Sequence, residues 1–176
     1  MCHIKTLKAM ITENLTNKEA IKKMAELVQD IKIAFLLTNL KKQPINAVPM
    51  TTKKVDENGN ILFLSRLNSE HNINIAKGPE VQLLYSHPSD LEFLSIFGHA
   101  SIIYDKKILK ELYTSADDVW FNDADDTNLT AIKIVPQEAY FWDSNDNTFN
   151  KLFKKGLAAV KGEKPEITEK KGKLNL

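Results

Sequence analysis

The sequence predicts a mainly β protein, an antiparallel barrel with helices plugging or flanking it. Three observations lead there. Short apolar runs are joined by tight turns, of which D-E-N-G-N at Asp56–Asn60 is the strongest hairpin signal. Long alternating β-α-β units, which a doubly wound sheet would need, do not occur. About six strands and about three helices fill the chain, and no internal repeat is visible.

The elements follow in order. Asn17 to Asp30 reads as an amphipathic helix, with Ile21, Met24, Ala25, Leu27 and Val28 at helical spacing and Thr16 or Asn17 as N-cap. Lys32 to Asn39 reads as a buried strand, and Leu40 to Gln43 as a polar turn. Pro44 to Val55 is the next strand, and Pro49 inside it implies an edge, a bulge or a place where the ladder opens. Ile61 to Ser65 returns as a strand, Glu70 to Lys77 is a short helix, and Gly78-Pro79 stops it. Val81 to Ser86 and Glu92 to Tyr104 are strands about the turn His87–Asp90, with Gly98 marking a bulge or close approach. Lys106 to Thr114 is a helix, and Ser115 to Thr127 an Asp-rich loop. Ala131 to Val135 and Glu138 to Asp143 are strands parted by Pro136. The Lys-rich end is expected to be disordered from Gly162.

A length of 176 residues suits one domain with a real core. A net charge of +1 gives no reason to expect a nucleic-acid partner. The single cysteine, Cys2, rules out an intramolecular disulfide or a cysteine-built zinc site. The start, M-C-H-I-K-T-L-K-A-M-I, lacks the apolar core of a signal peptide. No apolar run approaches the roughly 20 residues that cross a bilayer, so no membrane partner and a cytoplasmic location are expected. His3, His71, His87 and His99 are not spaced with one another, or with a carboxylate, as metal pairs, and the aspartates from Asp117 to Asp126 lack a calcium-loop pattern. Phosphate-binding loops and nucleophile elbows of known pattern do not occur.

Ile61–Tyr85 is the most informative stretch. A strand hands over to a helix through a turn holding Ser65, Arg66, Asn68, Ser69 and His71. Backbone N–H groups and the helix dipole can hold a phosphate at such a place, and a capped connection without a ligand explains the same residues. Trp120-Phe121 inside the Asp-rich loop is either a plug into the protein's own core or a wall against a flat ligand or partner. In strand alternation Tyr140 and Trp142 share one face and Phe141 the other.

These pieces, in this order, resemble the general stress proteins of the pyridoxamine 5′-phosphate oxidase-like superfamily, the FMN-binding split barrels. The markers are Pro49-Met50 with Thr51 and Thr52, the F-L-S strand end, S-E-H-N opening a helix and the Gly78-Pro79 break. Gly98, Val119-Trp120-Phe121, D-D-T-N-L-T-A-I-K-I and the Tyr140–Asp143 ending complete the set, from about Asn17 to Asp143. The resemblance implies a six-stranded antiparallel split β-barrel with flanking α-helices. It implies an N-terminal extension over 1–16, a flavin domain over 17–149 and a C-terminal tail over 150–176. It further implies a homodimer with two FMN sites at its interface.

In that arrangement the strand Val48, Pro49, Met50, Thr51 lies along the isoalloxazine ring and gives it backbone hydrogen bonds. Leu64 and Ser65 border the ring or ribityl chain, and Ser69, Glu70, His71 and Asn72 sit at the phosphate. Trp120 and Trp142 approach from the partner subunit or pack the interface. The associated activity is flavin redox chemistry with a nicotinamide or small organic substrate, or flavin carriage; no catalytic acid or base stands out. Two departures bear on this. Val48 stands where many relatives place an Arg, and His71 or Asn72 where relatives often have a Lys. Each lost cationic contact to a phosphate costs about 1.5 to 3 kcal/mol. Glu70 suits the helix dipole but repels a phosphate, which leaves Arg66 as the substitute. The family's pyridoxal-forming reaction is not expected, because no cluster of Arg and His offers to bind that substrate's phosphate. The rival reading is a split-barrel dimer that has lost flavin and serves as a binding or structural module.

Overall fold

The computed structural model describes residues 10–12, 15–90, 92–143 and 169–176. Two short strands, β1 (Met10–Thr12) and β2 (Leu15–Thr16), precede helix α1 (Asn17–Ile31). Then come β3 (Ile33–Thr38), β4 (Asn46–Val55), β5 (Ile61–Arg66), α2 (Glu70–Lys77), β6 (Glu80–His87) and β7 (Glu92–Ile103). Helix α3 (Lys106–Leu112), a 3₁₀ turn (Ser115–Val119), β8 (Leu129–Asp143) and β9 (Glu169–Asn175) complete the order.

Six of these strands close a barrel. Around it run β3-β4-β5-β8-β7-β6 and back to β3, every pairing antiparallel. The interior is filled by alternate residues of each strand, among them Ala34, Leu36, Ile61, Phe63, Leu83, Tyr85, Leu94 and Ile96. Ala20, Met24, Leu27 and Val28 of α1 join this core, so the helix plugs the barrel, as its apolar stripe predicts. A second, smaller core lies outside the barrel wall. There Leu109 and Leu112 of α3 pack with Phe121 against Leu62, Leu129 and Ala131 of β5 and β8.

The turn chemistry matches expectation. Asp56 Oδ1 accepts from the N–H groups of Asn58 and Asn60, both at 2.9 Å, and Gly59 takes the positive φ of 79° that the hairpin requires. Gly98 marks a close approach, as anticipated: a Cβ there would lie 2.6 Å from the Val135 carbonyl oxygen.

Three expectations are corrected. The strands on either side of Pro136 are one strand, β8, because Pro136 sits opposite Gly98 at a shift in register, where a missing N–H and a missing side chain accommodate each other. The Asp-rich loop contains a 3₁₀ turn capped by Thr114 and Asp117. The expected disorder from Gly162 does not extend through Glu169–Asn175, which pairs antiparallel with Ala139–Asp143 and parallel with β1 and β2. Its sequence, E-K-K-G-K-L-N, offers only Leu174 to the core, too little to read as a strand, yet Leu174 is fully buried. Cys2 and His3 lie outside the described residues.

Candidate functional site

The barrel is not zipped along its whole length. Strand β4 meets β5 only through Thr52, Lys54 and Val55, and the register slips at Lys53. Beyond that bulge β4 continues as Asn46–Thr51 on β3 alone, while β5 continues as Leu64–Arg66 on β8. A cavity of about 370 Å³ lies at this parting, between Val48–Thr51 on one lip and Leu64–Arg66 on the other. A second hollow of about 600 Å³ adjoins it past Arg66, Ser69, Trp120 and Phe121. Both fall in the size range of small-molecule sites.

Register gives the β4 lip its chemistry. The Thr52 N–H donates to the Lys32 carbonyl at 2.8 Å, which makes Thr51–Ile33 and Pro49–Phe35 non-hydrogen-bonded pairs. The backbone N–H of Thr51 and the C=O of Pro49 therefore turn away from β3, toward the opening, beyond the last β4–β5 pair. So does the place where the Pro49 N–H would be, and the proline removes no β3–β4 bond. Val48 and Met50 face inward and pack on the barrel core. Position 48 thus contributes apolar packing.

The far end of the cleft is the start of α2. Ser69 caps the helix, its Oγ accepting from the Asn72 N–H at 3.3 Å. The first N–H groups of the helix point out beside it. His71 borders the cavity, and its Nε2 is buried without a hydrogen-bond partner among the described residues. Burial lowers the His71 pKa, partly offset by Glu70, so the imidazole is biased toward neutral. Arg66 reaches across the cleft, its Nη2 donating to the Trp120 carbonyl at 2.9 Å.

The third wall is the loop after α3. Phe121 is buried and packs edge-on against Tyr113, while Trp120 is 65% exposed and borders both hollows. Phe121 is the plug into the protein's own core, and Trp120 stands exposed at the rim of the cleft.

Sequence reasoning missed Lys53 and Asp117. The bulge turns Lys53 into the cleft, where its Nζ donates to Asp117 Oδ2 at 2.7 Å and to Thr114 Oγ1 at 3.2 Å. Both charged side chains are mostly covered, at 12% and 14% accessibility. Asp117 also accepts from the Thr114 N–H and hydroxyl. Burial pushes its pKa up, but the hydrogen bonds from Lys53 and Thr114 outweigh this and hold it below the usual carboxylate value. Nothing local could have revealed the pair, whose members are 64 positions apart.

Of the residues singled out in the sequence, Val48, Pro49, Met50, Thr51, Leu64, Ser65, Arg66, Ser69, His71 and Trp120 border this one cavity. Glu70 is exposed at the helix start. Asn72 is buried behind the cleft, its Nδ2 donating to the Arg66 carbonyl and to Thr130 Oγ1, both at 3.0 Å. It positions the turn. Trp142 stands on the outer face of β8, opposite Phe93. The expectation that no histidine stands with a carboxylate is corrected at His87: β6–β7 register places it opposite Glu92 and the turn brings Asp90 Oδ2 to 3.0 Å, so the three groups lie within 4.8 Å of one another.

The residues suit a flavin nucleotide. An edge with backbone donor and acceptor matches the heteroatoms of a flat ring. A capped helix start, Arg66 and the orphaned His71 Nε2 match a phosphate.

A family model described as pyridoxamine 5′-phosphate oxidase like matches residues 19–166. Solved structures of similar fold include general stress protein 26 of Bacillus anthracis, at 21% identity and TM-score 0.61, covering 69% of this chain and 92% of that one. Another is the general stress FMN/FAD binding protein of Xanthomonas citri, at 19% identity and TM-score 0.63, covering 85% and 98%. A third is a pyridoxamine 5′-phosphate oxidase-related, FMN binding protein of Nostoc punctiforme, at 13% identity and TM-score 0.58, covering 74% and 86%. At these identities the likeness is one of fold. No protein of curated function matches the sequence.

Proposed function

The chain belongs to the pyridoxamine 5′-phosphate oxidase-like family, and we propose that it binds FMN in the cleft between β4 and β5 and works as a flavin-dependent oxidoreductase or flavin carrier. The observation that carries this reading is the parting of the two strands at Lys53. It opens a slot with the Thr51 backbone on one lip and the α2 start on the other. A bound flavin supplies the redox chemistry. This chain's residues hold and orient it: Thr51 offers its N–H and Pro49 its C=O to the ring edge, and Leu64 and Trp120 flank the ring. Ser69, His71 and Arg66 take the phosphate, and Asn72 fixes the turn that presents them.

The reading includes a homodimer. The outer face of the barrel carries a row of exposed apolar side chains in register across the sheet. Pro49 lies opposite Phe35, Phe35 opposite Leu84, and Ser95 links Leu84 to Tyr140. Phe35, Leu84, Tyr140 and Trp142 are 51, 41, 42 and 43% exposed. A face of this kind suits a partner subunit, and pairing through it would bring Trp142 to an interface continuous with Pro49 at the cleft.

The test is the visible spectrum of the purified protein, followed by titration of FMN fluorescence. Flavin bands, or quenching that saturates with protein, are the expected result. A colourless protein that leaves FMN fluorescence unchanged would favour the flavin-free module instead, the reading that Val48 supports. Elution at the mass of one 20.0 kDa chain would remove the dimer.

A further inference from the structure

The ring end of the cleft contains a cation that is already paired. Lys53 is the positive group beside Thr51, and Asp117 neutralises it at 2.7 Å within a mostly covered site. Asp117 is not a loose counter-ion. Its Oδ2 also accepts from the Thr114 N–H at 2.8 Å and the Thr114 hydroxyl at 2.9 Å, and the residue itself lies in the 3₁₀ turn that these bonds cap. An incoming anion would have to displace a carboxylate oxygen that already accepts from three donors. The alternative, an anion joining the intact pair, meets no unclaimed cation: in that cavity Lys53 is neutralised by Asp117, and Arg66 is the remaining positive group among the described residues. Asp118 and Asp126 line the adjoining hollow and add negative charge on the approach. Arg66 lies at the α2 end, beside Ser69, where the flavin phosphate would use it.

Resting on the flavin reading above, we propose that the ligand sharing the cleft with the flavin is an uncharged or cationic small organic molecule, and that Asp117 is the residue that refuses phosphorylated and carboxylated ones. Asp117 acts as a specificity determinant by holding Lys53, and the same contact ties the Trp120 loop to the β4 bulge.

The test uses pyridoxine and pyridoxine 5′-phosphate, which differ by the phosphate alone, titrated against the full chain by tryptophan fluorescence with and without FMN. The wild-type protein is expected to bind the phosphate ester no more than about three-fold tighter than the alcohol, or not at all. Asp117→Asn frees the Lys53 charge and is expected to tighten binding of the ester at least ten-fold, with the alcohol unchanged, since a charge-assisted bond to phosphate is gained. Lys53→Gln in the Asp117→Asn background returns the ester to wild-type affinity. A wild-type preference of ten-fold or more for the ester overturns the proposal, as does a folded Asp117→Asn protein that gains nothing. If Asp117→Asn does not unfold cooperatively, the wild-type pair of ligands decides. Failure of FMN to bind is a separate outcome: it removes the flavin reading, whereas the gain on Asp117→Asn and its reversal by Lys53→Gln report on Lys53 and Asp117 in either case.

Discussion

The seam between β7 and β8 and the seam between β4 and β5 behave in opposite ways. Where β7 meets β8 the ladder runs from Ile103–Ala131 to Phe93–Trp142 with one register shift. Where β4 meets β5 it ends at Thr52, and the strands part. Each seam has a proline. On β8 Pro136 is absorbed by Gly98 opposite it, and the seam stays shut. On β4 Pro49 faces the gap, where its missing N–H takes nothing from the ladder. What separates a closed seam from an open one is which side of the strand loses its donor, and what stands across from it.

The strongest test of that contrast moves a proline by one residue. Met50 sits in a hydrogen-bonded pair with Ala34 and packs on the core, so Met50→Pro removes a ladder bond and a buried side chain. It is expected to cost roughly 3 kcal/mol or more. Thr51→Pro removes an N–H that faces the opening. Its stability is expected to stay within about 1 kcal/mol of wild type, while FMN affinity falls about ten-fold for the lost hydrogen bond. Chemical denaturation and FMN fluorescence titration read the two outcomes. Equal destabilisation by both would show that the lip does not face an open slot.

Gly98→Ala is the corresponding test of the closed seam. Its Cβ would meet the Val135 carbonyl at 2.6 Å and Pro136 Cα at 3.2 Å, backbone atoms that cannot swing aside. A loss of about 1 to 3 kcal/mol is expected, seen as a melting-temperature drop of about 2 to 4 °C per kcal/mol, with FMN affinity of the folded protein unchanged.

Deleting Glu169–Leu176 tests the part of β8 that β5 does not reach. Removing β9 exposes the edge of Ala139–Asp143 and uncovers the site of Leu174. The loss of that side chain's burial is worth about 1.5 to 3 kcal/mol, and the bare edge is expected to raise self-association. Differential scanning and light scattering would register both; an unchanged melt would make β9 dispensable.

These contrasts also mark what the sequence could and could not disclose. Local signals placed Glu70–Lys77 to the residue, because Ser69 and Gly78-Pro79 are chemical stops. They placed the Asp56–Asn60 turn for the same reason, and they marked Pro49 as an edge, a bulge or a place where the ladder opens. They could not join the two halves of β8, since the glycine that accommodates Pro136 lies on another strand. Nor could they find the Lys53–Asp117 pair. A lysine in K-K and an aspartate in D-D read as solvated charge until a bulge and a capped turn, far apart in the chain, aim them at each other. Residues whose role is set by their neighbours in sequence were legible; residues whose role is set by a partner across the cleft were not.

The smallest predicted effect separates the two ends of the cleft by acid. His71 has a folded-state pKa lowered by burial, so its unfolded form takes up the proton first. It costs nothing above its unfolded value near about 6.5, and stability falls as pH drops from there toward the lower folded value. Asp117 is depressed for the opposite reason, being favoured as an anion by Lys53 and Thr114 despite burial. Its contribution is intact above the unfolded carboxylate value near about 3.9 and is lost as pH falls through the still lower folded one. The melting temperature is therefore expected to decline in two windows. His71→Asn should flatten the decline between about pH 7 and 5, and Asp117→Asn the decline below about pH 4. Bound FMN should shrink the upper window alone, because a phosphate beside His71 Nε2 favours the imidazolium and leaves the Lys53 pair untouched. A flavin that instead altered the lower window would put its phosphate at the Lys53 end and reverse the orientation assigned here.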